Sequence, residues 1–312
     1  MVTIDAVQEV KKPIYHEQFV LMGTIVQIWI VGRGSPARKR ESIARAVQVM
    51  YQVEHVCSRF DEGSELSQLC RHPGEKTSVS PTLFYALRIA LATSELTKGV
   101  FDPTVGRALE RKGLDRHYAT GERVSTPAAD VQGLSYRDIQ LFEETASVRL
   151  AGPMALDLGA VAKGLAVDLA CRELQSWEGY AIDAGGDCYV YGIDPRGLPW
   201  TVVIEDPTHG DYLAMPKVAL SGQAVCSSGN YRHRRRGANH LYDAVKGQSA
   251  EGFLTMTVVA PLTVLADVSA TAAFLLGPGR AHEFLQGQHL AAYGRTQDGR
   301  TVMTDAMKEF LR

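Results

Sequence analysis

Y-A-I-D-A-G-G-D-C-Y-V-Y-G, residues 180–192, holds two short apolar runs on either side of Gly185, Gly186 and Asp187. Runs of strand length, rich in Tyr, Ile and Val and split by a glycine pair, read as two strands and a tight turn. A parallel nucleotide-binding sheet would instead show a glycine-rich phosphate loop between strand and helix. Neither G-x-G-x-x-G nor a P-loop occurs in the chain.

The same reading extends outward. Ile139–Phe142 and Ser147–Leu150 flank Glu143–Ala146 as a second hairpin, and Thr24–Val31 is a β-branched strand closed by Gly32 and Gly34. Trp200–Glu205, Val218–Ser221, Ala224–Ser227 and Leu254–Ala260 complete the strands. Helical spacing runs from Pro36 to Cys57, with Ile43, Val47, Met50, Val53 and Cys57 on one stripe. A second helix spans Pro81 to about Lys98, with Ser80 as N-cap, Pro81 at the first position and Gly99 at the stop. Further helices are expected from about Ala160 to Gln175 and from about Leu265 to Leu276, while the polar stretch 111–133 reads as a surface excursion. Hairpins outnumber plausible crossovers, so the expected class is α+β, a mixed sheet and helix architecture and not a Rossmann fold.

Composition narrows the function classes. The chain has 312 residues, 45% hydrophobic and 22% charged, with a formal net charge of -2. That balance suits a globular protein with a sizeable core and gives no global field for nucleic acid or anionic membrane. The first residues carry charges every few positions and no continuous apolar segment, so neither signal peptide nor membrane anchor is read. Five cysteines without a C-x-x-C pair argue against zinc and against a disulfide framework, and a cytoplasmic location is expected. Arg232–Arg236 is a basic knot, read as a solvated hairpin tip that is within reach of a nucleotide's phosphates.

Three stretches have the makings of chemistry. In A-D-V-S-A-T, 266–271, Asp267 and Thr271 are four apart, so a helix places both oxygens on one face as hard ligands suited to magnesium. The plain alternative is that Asp267 caps the helix. In M-A-L-D-L-G-A-V-A-K-G, 154–164, an extended run turns at Gly159 into a helix start whose N–H groups and Lys163 suit phosphate, with Asp157 as an acceptor for a ligand's sugar or ring. A strand-to-helix corner with a surface lysine is the bland reading. His240, three residues before Asp243, has the spacing of a proton acceptor held by a carboxylate, although a lone histidine is more often structural.

In order along the chain the motifs are M-G-T (22–24), S-R-F-D-E-G-S-E-L-S-Q-L (58–69), G-V-F-D-P-T-V-G (99–106), D-L-G-A-V-A-K-G-L-A-V-D (157–168), A-G-G-D (184–187), S-S-G-N-Y-R (227–232), H-L-Y-D (240–243) and A-D-V-S-A-T-A (266–272). Together they resemble the ApbE family, the FAD:protein FMN transferases. The resemblance implies one flavin transferase domain over 21–312 after an extension, 1–20. It places Met22, Phe60, Val100, Phe101, Asp102, Asp157, Lys163 and Tyr242 around FAD, and Asp267 and Thr271 with the carbonyls of Ala160 and Ala270 on Mg2+. His240 falls on the histidine that helps activate the acceptor. The implied reaction joins FMN by a phosphoester to threonine or serine of an acceptor protein and releases AMP. The aromatic rings of Phe60, Phe101 and Tyr242 suit packing on flavin or adenine.

The chain also departs from that pattern. It reads D-A-V-K-G at 243–247 where the family has D-P-x-T-G, and Ser227–Ser228 where a threonine usually precedes the S-G step. Many members are exported lipoproteins. The loop change lies on the acceptor side, which keeps two alternatives open: a Mg2+-dependent FAD pyrophosphatase giving FMN and AMP, and a non-catalytic FAD-binding protein.

Overall fold

Pro13 and the charged residues before it give way to a β-branched hairpin, and from there strands dominate. The computed structural model describes residues 2–4, 11–124, 133–208, 215–230 and 240–312. The basic knot Arg232–Arg236 therefore lies outside the described residues. Strands β1 (Val2–Ile4), β2 (Ile14–Leu21) and β3 (Thr24–Val31) precede helix α1 (Pro36–Cys57). Then come α2 (Glu65–Arg71), β4 (Thr77–Ser78), α3 (Pro81–Leu96), α4 (Gly106–Arg111), β5 (Ile139–Phe142), β6 (Ser147–Leu150) and α5 (Gly159–Cys171). Strands β7 (Gly179–Ala184), β8 (Asp187–Gly192), β9 (Trp200–Ile204), β10 (Lys217–Leu220) and β11 (Gln223–Gly229) follow. The last stretch holds β12 (Tyr242–Asp243), β13 (Gln248–Ser249), β14 (Phe253–Ala260), α6 (Thr263–Leu276), α7 (Pro278–Gly287), β15 (Ala291–Thr296) and β16 (Thr301–Met303).

The chain forms two compact units. The first comprises Met1–Tyr51, Lys163–Arg232 and Gly252–Arg312. Its eight-stranded sheet, ordered β16-β15-β14-β11-β8-β7-β3-β2, is antiparallel at every pairing, as hairpin-rich sequence demands. A smaller sheet, β1-β9-β10, shares a core with the large one, in which Val190, Val225 and Val259 meet Trp200, Val202 and Val218. Cys226, next to Val225 and so on the opposite face, lies with its Sγ 3.6 Å from the carbonyl of Thr263, so α6 packs on that face. All of α6 except Leu265 is buried, in keeping with its run of alanines and branched residues.

The second unit comprises Gln52–Ala162 and His233–Glu251. Helix α3 starts where the sequence says it should. The Ser80 hydroxyl accepts from the Leu83 amide at 3.2 Å, with Pro81 at the first turn. Gly99, with φ +82, takes the left-handed conformation after the helix end. The hairpin β5–β6 pairs with β4 in a three-stranded sheet, and β12 pairs with β13. All five cysteines are free and buried. No helix among the described residues is long and apolar enough to cross a membrane.

Candidate active site

Four of the eight motifs meet in the first unit. Met22 and Gly23 form the two-residue turn between β2 and β3, with φ 53 and 73, the left-handed pair that tight hairpins require. Against this turn lies the A-G-G-D turn: a β-carbon on Gly185 would stand 2.1 Å from the Thr24 hydroxyl oxygen, so only glycine fits. The Gly186 amide donates to Asp183 at 2.8 Å, and the Gly186 carbonyl accepts from the Ser227 amide at 3.2 Å. Ser228 in turn shares a hydrogen bond of 2.9 Å with the Thr271 hydroxyl on α6. M-G-T, A-G-G-D, S-S-G-N and A-D-V-S-A-T thus form one connected cluster.

Asp267 and Thr271 stand one turn apart on this cluster's helix, both buried. Helix α6 begins at Thr263, two residues before the sequence boundary, so Asp267 is a full turn inside it and is not its cap. The cap comes from α5, whose Asp168 carboxylate accepts from the amides of Thr263 at 2.7 Å and Val264 at 2.9 Å. Oδ2 of Asp267 is buried without a hydrogen-bond partner and lies 3.7 Å from Nζ of Lys163, which is itself paired with the buried Asp187. Burial, and next the Asp187 charge, raise the Asp267 carboxyl above the usual carboxylate range. Burial acts to lower the Lys163 ammonium, but Asp187 and Asp267 outweigh it and raise it, so it stays charged.

The donor chemistry of this cluster fits magnesium. A buried carboxylate oxygen without a hydrogen bond and a nearby hydroxyl are hard oxygen donors, and two carboxyl groups share the one ammonium of the cluster. Among the described residues no three His, Cys, Asp or Glu side chains gather as a metal-binding group, so a magnesium ion held here would draw its remaining ligands from hydroxyl, carbonyl and water oxygens. Ala270 lies on α6 between the two side-chain candidates, and Ala160 in the first turn of α5 belongs to the second unit.

The remaining motifs, including the first residues of D-L-G-A-V-A-K-G-L-A-V-D up to Ala162, meet in the second unit. Arg59 is buried and pairs with Asp157, donates to the Leu114 carbonyl at 2.7 Å, and stacks its guanidinium 4.0 Å from the centre of the Phe60 ring. Asp157 also accepts from the Gly159 amide at 2.8 Å, while its own amide donates to the Pro103 carbonyl at 2.7 Å. Asp102 accepts three hydrogen bonds: Oδ1 takes the Thr104 amide at 2.8 Å and hydroxyl at 2.7 Å, and Oδ2 takes the Tyr136 amide at 3.0 Å. Burial nonetheless raises its carboxyl. Val100 and Phe101 are buried, and the Val100 carbonyl accepts from the Ala244 amide at 3.3 Å. That bond ties G-V-F-D-P-T to H-L-Y-D.

Between these two segments opens a cleft of about 290 Å³, lined by Lys98, Asp102, Thr104, Tyr136, Arg137 and Tyr242 among others. Its size is near the lower end for small-ligand sites. Tyr242 is half-buried on its wall, with the Lys112 ammonium 5.3 Å from its ring centre. His240 is exposed. Asp243 is buried, accepts from the amides of Val245 and Lys246 at 3.1 and 3.0 Å, and pairs with the Lys246 ammonium at 3.0 Å. The departing sequence D-A-V-K-G is therefore a closed turn organised on its aspartate.

Asp187, Asp168, Ser228 and Arg59 were within quoted motifs but had no role assigned from sequence. Their partners lie far along the chain, 24 residues away for Lys163 and Asp187 and 98 for Arg59 and Asp157.

Comparison with known proteins agrees with this organisation. FAD:protein FMN transferase of Escherichia coli strain K12 is 32% identical over 278 residues, 84% of this chain and 76% of that protein. FAD:protein FMN transferase of Haemophilus influenzae is 27% identical over 290 residues, 87% of this chain and 83% of its own. The crystal structure of the ApbE protein from Thermotoga maritima superposes with a TM-score of 0.82 at 25% identity, covering 96% of this chain and 100% of the other. The model of the ApbE family matches residues 22–293, which take in all eight motifs, and the chain belongs to that family.

Proposed function

We propose that this protein transfers the FMN moiety of FAD to a threonine or serine hydroxyl of an acceptor protein, releasing AMP, with Mg2+ at Asp267 and Thr271. The observation that carries this reading is the buried Oδ2 of Asp267, which no hydrogen bond engages and which faces the Lys163 ammonium only at 3.7 Å. A buried carboxylate that shares one ammonium with a second carboxylate is costly, and a divalent cation would offset that cost. Relatives named FAD:protein FMN transferase supply the substrate and the reaction class.

In this reading Asp267 and Thr271, with the carbonyls of Ala160 and Ala270, hold the ion. Met22, Phe60, Val100, Phe101, Asp102, Asp157, Lys163 and Tyr242 form the FAD site, with Tyr242 and Phe60 offering ring faces. When bound, the ion neutralises charge on the pyrophosphate and on the departing AMP. Phosphoryl-type transfer depends mainly on positioning and electrostatics, so the chain need supply few reacting groups. His240 accepts the proton of the acceptor hydroxyl, and its exposure suits a group that must meet another protein.

The test is incubation with FAD, Mg2+ and lysate of the native host, followed by a denaturing gel viewed for flavin fluorescence. Fluorescent acceptor bands with the wild type and none with Asp267→Ala are expected. AMP release without bands would instead assign FAD hydrolysis, and FAD binding with neither product would assign a flavin-binding protein.

A further inference from the structure

Lys163, Asp187 and Asp267 bring one positive and two negative charges together in the first unit. Asp187 is 2% exposed and Asp267 4% exposed, so neither charge is effectively screened by water. Lys163 pairs with Asp187, and its ammonium stands 3.7 Å from the open oxygen of Asp267. An ammonium on a four-carbon stem moves easily, and a buried charge that loses its partner seeks another. Without Asp187, the nearest carboxylate to Lys163 is Asp267.

We propose that Asp187 is a positioning residue of the metal site: it holds the Lys163 ammonium so that Asp267 keeps an oxygen open to a divalent cation. Ammonium and cation compete for one carboxylate, and an unneutralised ammonium also repels a divalent ion a few ångströms away. Asp187 removes both obstacles while keeping Lys163 in the site. The side chain of Lys163 stays partly exposed, so it remains available to an anionic ligand. This inference rests on the metal reading above.

The experiment measures Mn2+ binding to the full chain without FAD, by the loss of the free-ion EPR signal. Asp187→Asn is expected to weaken binding by about tenfold or more, the usual scale for residues that support metal ligands. Lys163→Met added to Asp187→Asn removes the competing ammonium and leaves the same net cluster charge as the wild type. The double variant is expected to return to within about threefold of wild-type affinity. It also leaves no unpaired buried charge of the pair, so it remains informative if the single variant does not fold. Wild-type affinity in Asp187→Asn, or a double variant weakened by about tenfold or more relative to wild type, overturns the inference. The control is Asp267→Ala: if the wild type binds no Mn2+, or this variant binds equally well, the metal reading itself falls and this inference with it.

Discussion

Helices α5 and α6 touch backbone to backbone at Gly164, and a single methyl group placed there tests the geometry of the whole cluster. A β-carbon on Gly164 would lie 2.5 Å from Cα of Val264, 2.7 Å from its nitrogen and 2.8 Å from the carbonyl carbon of Thr263. Carbon atoms pack at about 3.5–4.0 Å, so Gly164→Ala forces the helices apart by roughly 1 Å. The obstacle is main chain, which cannot rotate aside. The same displacement pulls the Thr263 and Val264 amides from Asp168. Overpacking costs about 1–3 kcal/mol and a weakened cap about 1 kcal/mol, against about 1 kcal/mol gained from alanine's helix propensity. A net loss of about 1–3 kcal/mol is expected, with weaker Mn2+ binding because Lys163 and Asp267 sit on the separated segments. Urea denaturation followed by circular dichroism reads the first effect and Mn2+ titration the second. Gly279→Ala in α7, where a β-carbon meets nothing within 4 Å, serves as control and should be neutral or slightly stabilising. A Gly164→Ala protein as stable as the wild type would refute the close packing of the two helices.

Three further outcomes are expected. Asp168→Ala should destabilise by about 0.5–2 kcal/mol through loss of the α6 cap, and Asp168→Asn by less; equal melting temperatures for wild type and alanine variant would remove that role. Burial raises the Asp183 carboxyl to about 6 despite the Gly186 amide, so its contribution is present below the unfolded value and lost as pH rises through about 6. The stability of Asp183→Asn relative to wild type should therefore grow by on the order of 3 kcal/mol between roughly pH 4 and 7, and a gap independent of pH would contradict it. His240→Ala should slow FMN transfer by ~10²–10⁴-fold with little change in FAD affinity, whereas equal losses in both would move His240 into the flavin pocket.

The sequence was most legible where local chemistry sets the boundary. Thr24–Val31 and Pro36–Cys57 stand as read, because glycines close the strand and proline opens the helix. Strand β2 escaped notice: I-Y-H-E-Q-F-V-L is the edge of its sheet, and His16, Glu17 and Gln18 dilute the apolar signal that a central strand would show. Helix α7 was hidden by Pro278, Gly279 and Gly287, which read as punctuation. The true start of α6 was invisible because its cap is Asp168, 95 residues earlier. The site followed the same rule. Residue types and spacing marked Asp267, Thr271 and Lys163 as candidates, but the Lys163–Asp187 pair and the Ser228–Thr271 hydrogen bond depend on strands brought together by the fold.

The five buried thiols give the molecule a use of its own. Burial pushes Cys57 up to about 12 and Cys70 up to about 11, and Cys171, Cys188 and Cys226 well above the ordinary thiol value. Thiolate is the reactive form, so the native protein should be nearly inert to thiol reagents at neutral pH. The cysteines are distributed over both units, with Cys70 in one and Cys188 and Cys226 in the other. Each modification event then marks an opening of the segment that holds it, and mass spectrometry of the labelled peptides can time the two units separately. A cysteine introduced on the surface would label alone, against a silent background.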